Sequence, residues 1–315
     1  AKPPEIKKPQ PVANIDFDKG AEKQWARFRG HTGMGVAKAG KWPETWDGET
    51  EESVIWRTEL PSKGKNSPVI WGNSIFLTAA TKSEQLALCF DRATGEELWR
   101  TVVPPAKDRT WKPDELKSYD DTGYAAPTSV VDRRAVYVTF ASADVAALDH
   151  QGKILWNRNL GMPESAYGLS SSLLTYGKTV ILQLDVGDGG KESKSALIAM
   201  DRLTGKTVWR TKRDLPNSWA TPAIFKTASG PQLVTLADPW VIAYSPADGK
   251  EIWRAEGMSG DVAPGPAFAD GVVYVTNEYA QVMAIRVDGK GDVTKTHVLW
   301  TAEDGMSDAS SPVCS

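Results

Sequence analysis

The stretch Ala199-Met200-Asp201-Arg202-Leu203-Thr204-Gly205-Lys206-Thr207-Val208-Trp209 joins a turn signal to a tryptophan, and it decides the fold because it recurs. The Asp201 side chain can accept hydrogen bonds from backbone amides two or three residues on, and Gly205 can take the φ > 0 position of a hairpin. The same turn signal, Asp91 to Gly95, precedes Trp99. The pattern predicts a repeated hairpin that carries a tryptophan on its last strand.

Six tryptophans mark the ends of successive units of this kind. They are Trp56, Trp99, Trp156, Trp209, Trp253 and Trp300, separated by 43, 57, 53, 44 and 47 residues. Within each unit the apolar stretches are short, β-branched or aromatic, and bounded by Gly, Asp, Asn and Pro, which is typical of strands. Units of about 40–50 residues with four short strands predict an all-β fold, a β-propeller of four-stranded antiparallel blades with about five complete blades.

The closing tryptophan of each unit has a structural explanation. A blade cannot bury both of its faces alone, so neighbouring blades must stack. A tryptophan on the last strand can bury its ring against the next blade while its indole N–H finds a carbonyl. We therefore expect all six to be structural docking residues, and we expect Trp156, Trp209 and Trp253 to be largely buried between adjacent blades.

The two ends of the repeat array predict an incomplete propeller. Val54-Ile55-Trp56 has the sequence of an outermost strand, and Ser311-Pro312-Val313 has that of the first strand of a sixth unit. Propellers usually close by sharing one blade between the two ends of the chain. We expect residues 25–315 to be an arc, incomplete at its C-terminus, from a protein of roughly seven or eight blades, unless the blades tighten into a smaller ring. Residues 1–24, which begin with a Lys/Pro-rich stretch, are expected to form a linker.

Composition and charge exclude several classes of function. The 315 residues carry a net charge of −3, which gives no basic surface for nucleic acid. No apolar run approaches the ~20 residues that cross a bilayer. The two cysteines, Cys89 and Cys314, are too few for a disulfide framework or a cysteine-based zinc site. Removal of a secretory leader would leave a Pro-rich start such as this one, so we expect a periplasmic or secreted protein.

These units resemble the pyrroloquinoline-quinone (PQQ)-like propeller superfamily, whose repeat carries the motif Ala-x-Asp-x-x-Thr-Gly-x-x-x-Trp seen from Ala199 to Trp209. The opening from Trp25 to Val36 is similar to that of the PQQ-binding-like repeat proteins of planctomycete-like bacteria. The fourth unit departs from the pattern with Ser245 in place of the Asp. The fifth unit has Arg286 there, followed by a longer excursion. These departures weaken individual turns and leave the predicted architecture unchanged.

The resemblance implies two different kinds of activity. PQQ alcohol and glucose dehydrogenases hold a buried calcium beside the quinone, with an Asp base, and the alcohol enzymes add a vicinal disulfide. The propeller lipoprotein of the Bam complex is a non-catalytic scaffold. Cys89 and Cys314 stand alone, and no calcium-binding set can be matched. We expect no catalytic, cofactor-binding or metal-binding residues, and a scaffold that binds an unknown protein partner or small ligand. The alternative is a PQQ-dependent dehydrogenase, or a degenerate relative, that takes PQQ with calcium.

Residues just before each innermost strand of a propeller face the mouth of its central channel. Here they are Asn66, Tyr124, Tyr167, Trp219, Asp261 and Asp308. A rim of aromatic and carboxylate side chains could bind a ligand or a protein partner. The alternative is that the aromatic side chains plug the funnel.

Two glycine-rich stretches favour structural roles. Gly30 to Gly35 resembles a nucleotide loop but lacks the preceding strand and following helix that bind phosphate. Asp185 to Gly190 offers two carboxylates that suit calcium, yet it falls between the second and third strands of its unit. We therefore expect a coil at the first stretch and a hairpin turn at the second. The three histidines share no metal-ligand spacing.

Overall fold

The fold is all-β, as the repeat predicts. A computed structural model describes residues 16–37 and 40–314. Five antiparallel sheets, called blades 1 to 5 below, follow one another along the chain. The helical segments in the described ranges are two short 3₁₀ turns, Ala21–Lys23 and Pro113–Glu115.

Each blade has four strands paired with their sequence neighbours, from innermost to outermost. Blade 1 contains β1 (Val69–Trp71), β2 (Ser74–Ala80), β3 (Gln85–Asp91) and β4 (Glu97–Val102). Blade 2 contains β5 (Val130–Val131), β6 (Ala135–Thr139), β7 (Asp144–Asp149) and β8 (Ile154–Asn159). Blade 3 contains β9 (Leu174–Tyr176), β10 (Thr179–Asp188), β11 (Ala196–Asp201) and β12 (Thr207–Lys212), and β13 (Pro216–Ser218) pairs with the far end of β10. Blade 4 contains β14 (Ala223–Thr227), β15 (Gly230–Ala237), β16 (Trp240–Tyr244) and β17 (Glu251–Glu256). Blade 5 contains β18 (Ala267–Ala269), β19 (Val272–Thr276), β20 (Val282–Arg286) and β22 (Val298–Ala302).

The turns between the third and fourth strands form as the sequence predicts. In blade 3, Asp201 Oδ1 accepts the N–H groups of Leu203 at 3.1 Å and Thr204 at 2.9 Å. Gly205 closes the turn with φ of +69°. A Cβ atom placed on Gly205 would lie 2.7 Å from the Trp156 ring, so glycine is needed here for close packing as well as for its backbone conformation.

Four tryptophans, Trp56, Trp99, Trp156 and Trp209, lie against the turn of the following blade. In the first three, the indole N–H donates to the carbonyl oxygen of the second residue of that turn. The pairs are Trp56 to Arg92 (3.0 Å), Trp99 to His150 (2.9 Å) and Trp156 to Arg202 (3.0 Å). This geometry brings each outermost segment against the next blade.

The burial of the tryptophans differs from the expectation for two of the three named residues. Trp253 is fully buried, with its indole N–H donating to Gln232 Oε1 at 2.9 Å. Trp156 and Trp209 are only half-buried. Trp300 is 47% exposed. Of the three, only Trp253 therefore lies in a buried apolar cluster.

The irregular fifth unit accounts for the burial of Trp253. The long excursion after Arg286 supplies a short strand, β21 (Gly291–Asp292), that pairs in parallel with β17 and places Gly291 opposite Trp253. Val293 joins the same apolar cluster as Trp253. A covering strand thus occupies the position where the other units place an Asp-x-x-Thr-Gly turn.

Two expected end strands are absent from the described part of the chain. Residues 54–56 and 311–313 are not assigned to a strand there, although Trp56 still covers the turn of blade 1. Ser311 nevertheless contacts blade 5, since its hydroxyl accepts the N–H of Gly265 at 2.8 Å. Neither segment pairs with a strand among the described residues.

Hydrogen bonds link the starts of successive innermost strands. A backbone N–H at one start donates to a side-chain hydroxyl at the next. The pairs are Ser67 to Thr128 (2.9 Å), Thr128 to Ser172 (3.0 Å) and Ser172 to Thr221 (3.0 Å). These bonds fix the first face of the molecule, which we define as the face where the innermost strands begin.

The opening segment packs along the free edges of the innermost strands. The carbonyls of Trp25 and Ala26 accept the N–H groups of Ile70 and Val131, each at 2.8 Å. Met34 joins the apolar cluster of blades 4 and 5. Residues 1–15 of the expected linker lie outside the described residues, whereas Phe17 is buried against the blades.

Candidate functional site

Three aromatic side chains form a row on the first face, at the junctions of blades 2, 3 and 4. The ring centroids of Tyr119 and Tyr167 are 5.0 Å apart, and those of Tyr167 and Trp219 are also 5.0 Å apart. The second pair is nearly perpendicular, with an interplanar angle of 83°. Such edge-to-face contacts are favourable beyond the area they bury. We call this row the aromatic ridge (Tyr119, Tyr167 and Trp219).

The ridge is held in place by hydrogen bonds. Ser165 Oγ accepts the indole N–H of Trp219 at 3.1 Å, and the carbonyl of Ala166 accepts the N–H of Tyr119 at 3.1 Å. The N–H of Trp219 donates to the carbonyl of Val262 at 3.0 Å, which connects the ridge to the segment before blade 5. The rings are therefore positioned before any ligand arrives.

The loop that carries Tyr119 is anchored by buried polar groups. Arg109 forms an ion pair with Asp144 at the edge of blade 2, and the Arg109 guanidinium lies 4.4 Å from the Trp111 ring. The indole N–H of Trp111 donates to Asn159 Oδ1 at 3.1 Å. This anchoring explains how a long connection between two blades presents an exposed tyrosine at a fixed place.

Carboxylates surround the ridge. Asp120 and Asp121 line a shallow depression of about 560 Å³ together with Tyr119 and Tyr167. Asp261 directly precedes Val262, whose carbonyl contacts the Trp219 backbone. These side chains are exposed, so their charges are available to a ligand.

A second exposed tyrosine lies farther along the same face. Tyr279 is 61% exposed and packs beside Gly260. The negative charge of Glu278 raises the pKa of its hydroxyl, with smaller contributions from desolvation, Asp261 and Asp308. Carboxylates thus act on Tyr279 from Glu278, Asp261 and Asp308.

Of the six predicted rim residues, four lie on the first face, and the other two, Asn66 and Tyr124, are engaged within the framework. Tyr167 and Trp219 are in the ridge, and Asp261 and Asp308 are exposed beyond it. The Asn66 amide is occupied between blades 1 and 2, donating to the carbonyls of Thr78 at 2.7 Å and Ala125 at 2.9 Å.

Tyr124 packs with the apolar cluster of Trp111 and Leu116. Tyr119 and Tyr279 were missed by the sequence analysis because neither directly precedes an innermost strand. The signal for Tyr119 was an aromatic residue beside two carboxylates, Asp120 and Asp121, in the longest connection between units.

Each of the three buried carboxylates in the described ranges is paired with an arginine. The pairs are Asp132 with Arg202 (3.0 Å), Asp185 with Arg213 (2.8 Å) and Asp144 with Arg109. A buried calcium needs carboxylate oxygens, and these oxygens are already neutralised by guanidinium groups. The described residues also contain no group of three or more His, Cys, Asp or Glu side chains able to hold a metal. These residues do not fit a buried calcium beside a quinone.

The cysteines do not supply a quinone cap or a nucleophile. Cys89 is buried, Cys314 is half-buried, and both are free thiols. Burial raises the pKa of the Cys89 thiol to about 11, which keeps it protonated at neutral pH.

The two glycine-rich stretches have structural roles. The segment from Gly30 to Gly35 forms turns in which a Cβ on Gly30 would lie 2.7 Å from the Trp25 ring. The turn expected over Asp185 to Gly190 is wrong at its start, because Asp185 lies inside β10. Its carboxylate is held there by Arg213, which follows it by 28 residues in the sequence.

The repeat units match a known protein family. The family described as outer membrane protein assembly factor BamB matches residues 45–171, 83–235 and 237–297. The chain belongs to this family. The resemblance to PQQ-like propeller repeats is thereby confirmed.

Other similar proteins show the fold without deciding the activity. The BamB structure from Moraxella catarrhalis is 14% identical, with a TM-score of 0.56, and the match covers 84% of this chain and 71% of that one. Quinoprotein ethanol dehydrogenase of Pseudomonas aeruginosa is 29% identical over 35% of this chain and 16% of its own length. Tetrathionate hydrolase of Acidithiobacillus ferrooxidans is 21% identical over 75% of this chain. The chain spans 46% of that hydrolase, so it covers less than half of either curated relative.

The described residues contain no helix that is long and apolar enough to span a membrane.

Proposed function

We propose that this chain is a non-catalytic, secreted or periplasmic β-propeller scaffold that binds a protein partner or small ligand through its first face. The observation that carries the proposal is the aromatic ridge, in which Tyr119 is 57% exposed although its backbone N–H and the Trp219 indole N–H are held by hydrogen bonds. Exposed aromatic side chains in a preformed arrangement are typical of binding surfaces.

The buried charges favour binding over quinone chemistry. A dehydrogenase of the PQQ type needs a calcium ion and a carboxylate base beside the quinone. In this chain the buried carboxylates instead pair with arginines, which makes them parts of the framework. The relatives include an assembly factor and enzymes, so the choice between scaffold and enzyme rests on the residues of the site and not on the fold.

The tryptophans belong to the scaffold part of the proposal. The contact between an outermost ring and the following turn recurs at Trp56, Trp99, Trp156 and Trp209. We propose that these contacts hold neighbouring blades together, so that the rim residues of successive blades keep fixed spacings across the first face.

Site-specific photo-cross-linking tests the proposed function. A photoreactive phenylalanine analogue replaces Tyr119 on the ridge, and in a matched variant it replaces Val208, which is 55% exposed on an outermost strand. Irradiation in the producing cells is expected to yield a defined adduct at position 119 and none at position 208. Absence of an adduct at 119, or equal labelling at both positions, would count against the first face as the binding surface.

A further inference from the structure

The ridge leaves aromatic ring surface open to solvent. Tyr119 is more than half exposed, and Tyr167 and Trp219 are half-buried. The indole N–H of Trp219 is already bonded to Ser165, so it is not needed by a ligand. The exposed Tyr119 ring can therefore offer a ligand its π-electron face, which carries partial negative charge and attracts cations.

Carboxylates extend the negative charge of the ridge along the first face. Asp120 and Asp121 share a depression with Tyr119 and Tyr167. Farther along, Glu278 and Asp308 act electrostatically on Tyr279 together with Asp261. The acidic residues are spread over several successive blades, so they can engage several charges on one extended ligand.

Among the described residues, the two depressions beside the ridge are lined by one lysine and no arginine. Lys117 lines the adjacent depression of about 390 Å³ together with Glu115 and Asp188. Lys194, farther out, is paired with Glu164. Neither lysine lines the depression at Tyr119 and Asp120. The charge of the depression at Tyr119 therefore repels anionic ligands such as nucleic acid or acidic lipid headgroups and attracts cationic ones.

We infer that the first face binds an extended peptide segment rich in lysine or arginine, with one cationic side chain over the aromatic ridge and others beside Asp261 and Asp308. This inference rests on the proposed function and gives the binding surface a ligand class. A lysine or arginine head within about 6 Å of an aromatic ring is held by the ring quadrupole, and the exposed carboxylates add attraction over a longer range. A peptide fits better than a small cation because the negative groups are distributed along an arc.

The test is a titration of the purified chain with two fluorescein-labelled peptides followed by fluorescence anisotropy. The peptides have the same length and alternate glycine with either lysine or glutamate. We expect saturable binding of the lysine peptide only, weakening when salt is raised from about 0.05 M to about 0.5 M because exposed charges are screened. Tyr119→Ala should weaken binding about fivefold, whereas Tyr119→Phe should bind as wild type, since it keeps the ring.

A charge-matched pair of variants separates local from global electrostatics. Asp120→Asn with Asp121→Asn removes two carboxylates beside the ridge and should weaken binding about threefold to tenfold. Glu44→Gln with Glu49→Gln removes the same charge from exposed positions that do not line the ridge depression and should have little effect. Because all four substitutions are on the surface, this comparison holds even where Tyr119→Ala does not fold.

The outcomes that overturn the inference differ from those that overturn the proposed function. Equal binding of the lysine and glutamate peptides, or equal weakening by both charge-matched variants, would refute the cationic ligand class. A partner cross-linked at position 119 would still support the scaffold in that case. Selective lysine-peptide binding that disappears in the variants at Asp120 and Asp121 would support both.

Discussion

Replacing Trp209 by alanine should destabilise the junction of blades 3 and 4. A Cβ on Gly249 would lie 2.6 Å from the Trp209 ring, so ring and turn are in close contact, and Thr211 Oγ1 donates to the Gly249 carbonyl at 2.7 Å beside them. Loss of a large core aromatic costs about 3–5 kcal/mol. Since Trp209 is half-buried, we expect about 3 kcal/mol. Trp300 occupies the same place in blade 5 but is 47% exposed, so Trp300→Ala should cost about 1 kcal/mol.

Urea unfolding followed by far-ultraviolet circular dichroism measures both free energies. The difference between the two variants is the informative quantity, because each removes the same atoms from the same strand position. If Trp209→Ala unfolds at the same urea concentration as Trp300→Ala, the contact between ring and turn contributes nothing to stability, contrary to the role proposed for the tryptophan.

Phenylalanine variants test the contribution of the indole hydrogen bond. Trp156→Phe loses the bond to the Arg202 carbonyl, whereas the Trp209 N–H has no partner in the described structure, so Trp156→Phe should cost about 1 kcal/mol more than Trp209→Phe.

Two further changes probe the framework. Gly205→Ala places a Cβ at φ of +69° against the Trp156 ring and should lower the free energy of unfolding by about 2–3 kcal/mol. Gly177→Ala is the control, since Gly177 has φ of +52° and nothing within 4 Å, and it should cost about 1 kcal/mol. Equal unfolding midpoints for the two variants would contradict the packing role of Gly205. Arg213→Met leaves Asp185 buried without its cation and should cost about 3–5 kcal/mol at pH 8. Burial raises the pKa of Asp185, and Arg213 opposes that rise, so the carboxyl of the variant becomes neutral at higher pH than in the unfolded chain. The variant should therefore lose less stability at pH 5 than at pH 8, and a pH-independent loss in urea unfolding would refute this assignment.

Local sequence patterns predicted the blades because their turns are closed by nearby residues. Asp201 bonds to amides two and three residues ahead, and Gly205 supplies the positive φ that the turn needs. The same logic failed at Asp185, whose partner Arg213 comes from the end of the fourth strand of the same unit. Nothing next to Asp185 in sequence shows that its carboxylate is neutralised inside a strand.

The candidate site was predicted in part for a similar reason. Tyr167 and Trp219 were found because they stand at equivalent positions of successive repeats, and repeats place equivalent residues around one mouth. Tyr119 comes from a connection outside the repeat, and its backbone N–H is held by the carbonyl of Ala166, far from it in sequence. Asn66 stands at the repeat position that predicts a rim residue, but its amide donates to carbonyls of the framework and is not free to bind a ligand.

Titration calorimetry with PQQ in the presence of calcium tests most directly whether this chain is a binding scaffold or a quinone-dependent enzyme. An apo quinoprotein alcohol dehydrogenase serves as the positive control under the same conditions. Because Asp132, Asp144 and Asp185 are each paired with an arginine, we predict no saturable heat from this chain, while the control takes up the quinone. A saturable site of about micromolar affinity or tighter, dependent on calcium, would contradict the scaffold and restore the dehydrogenase.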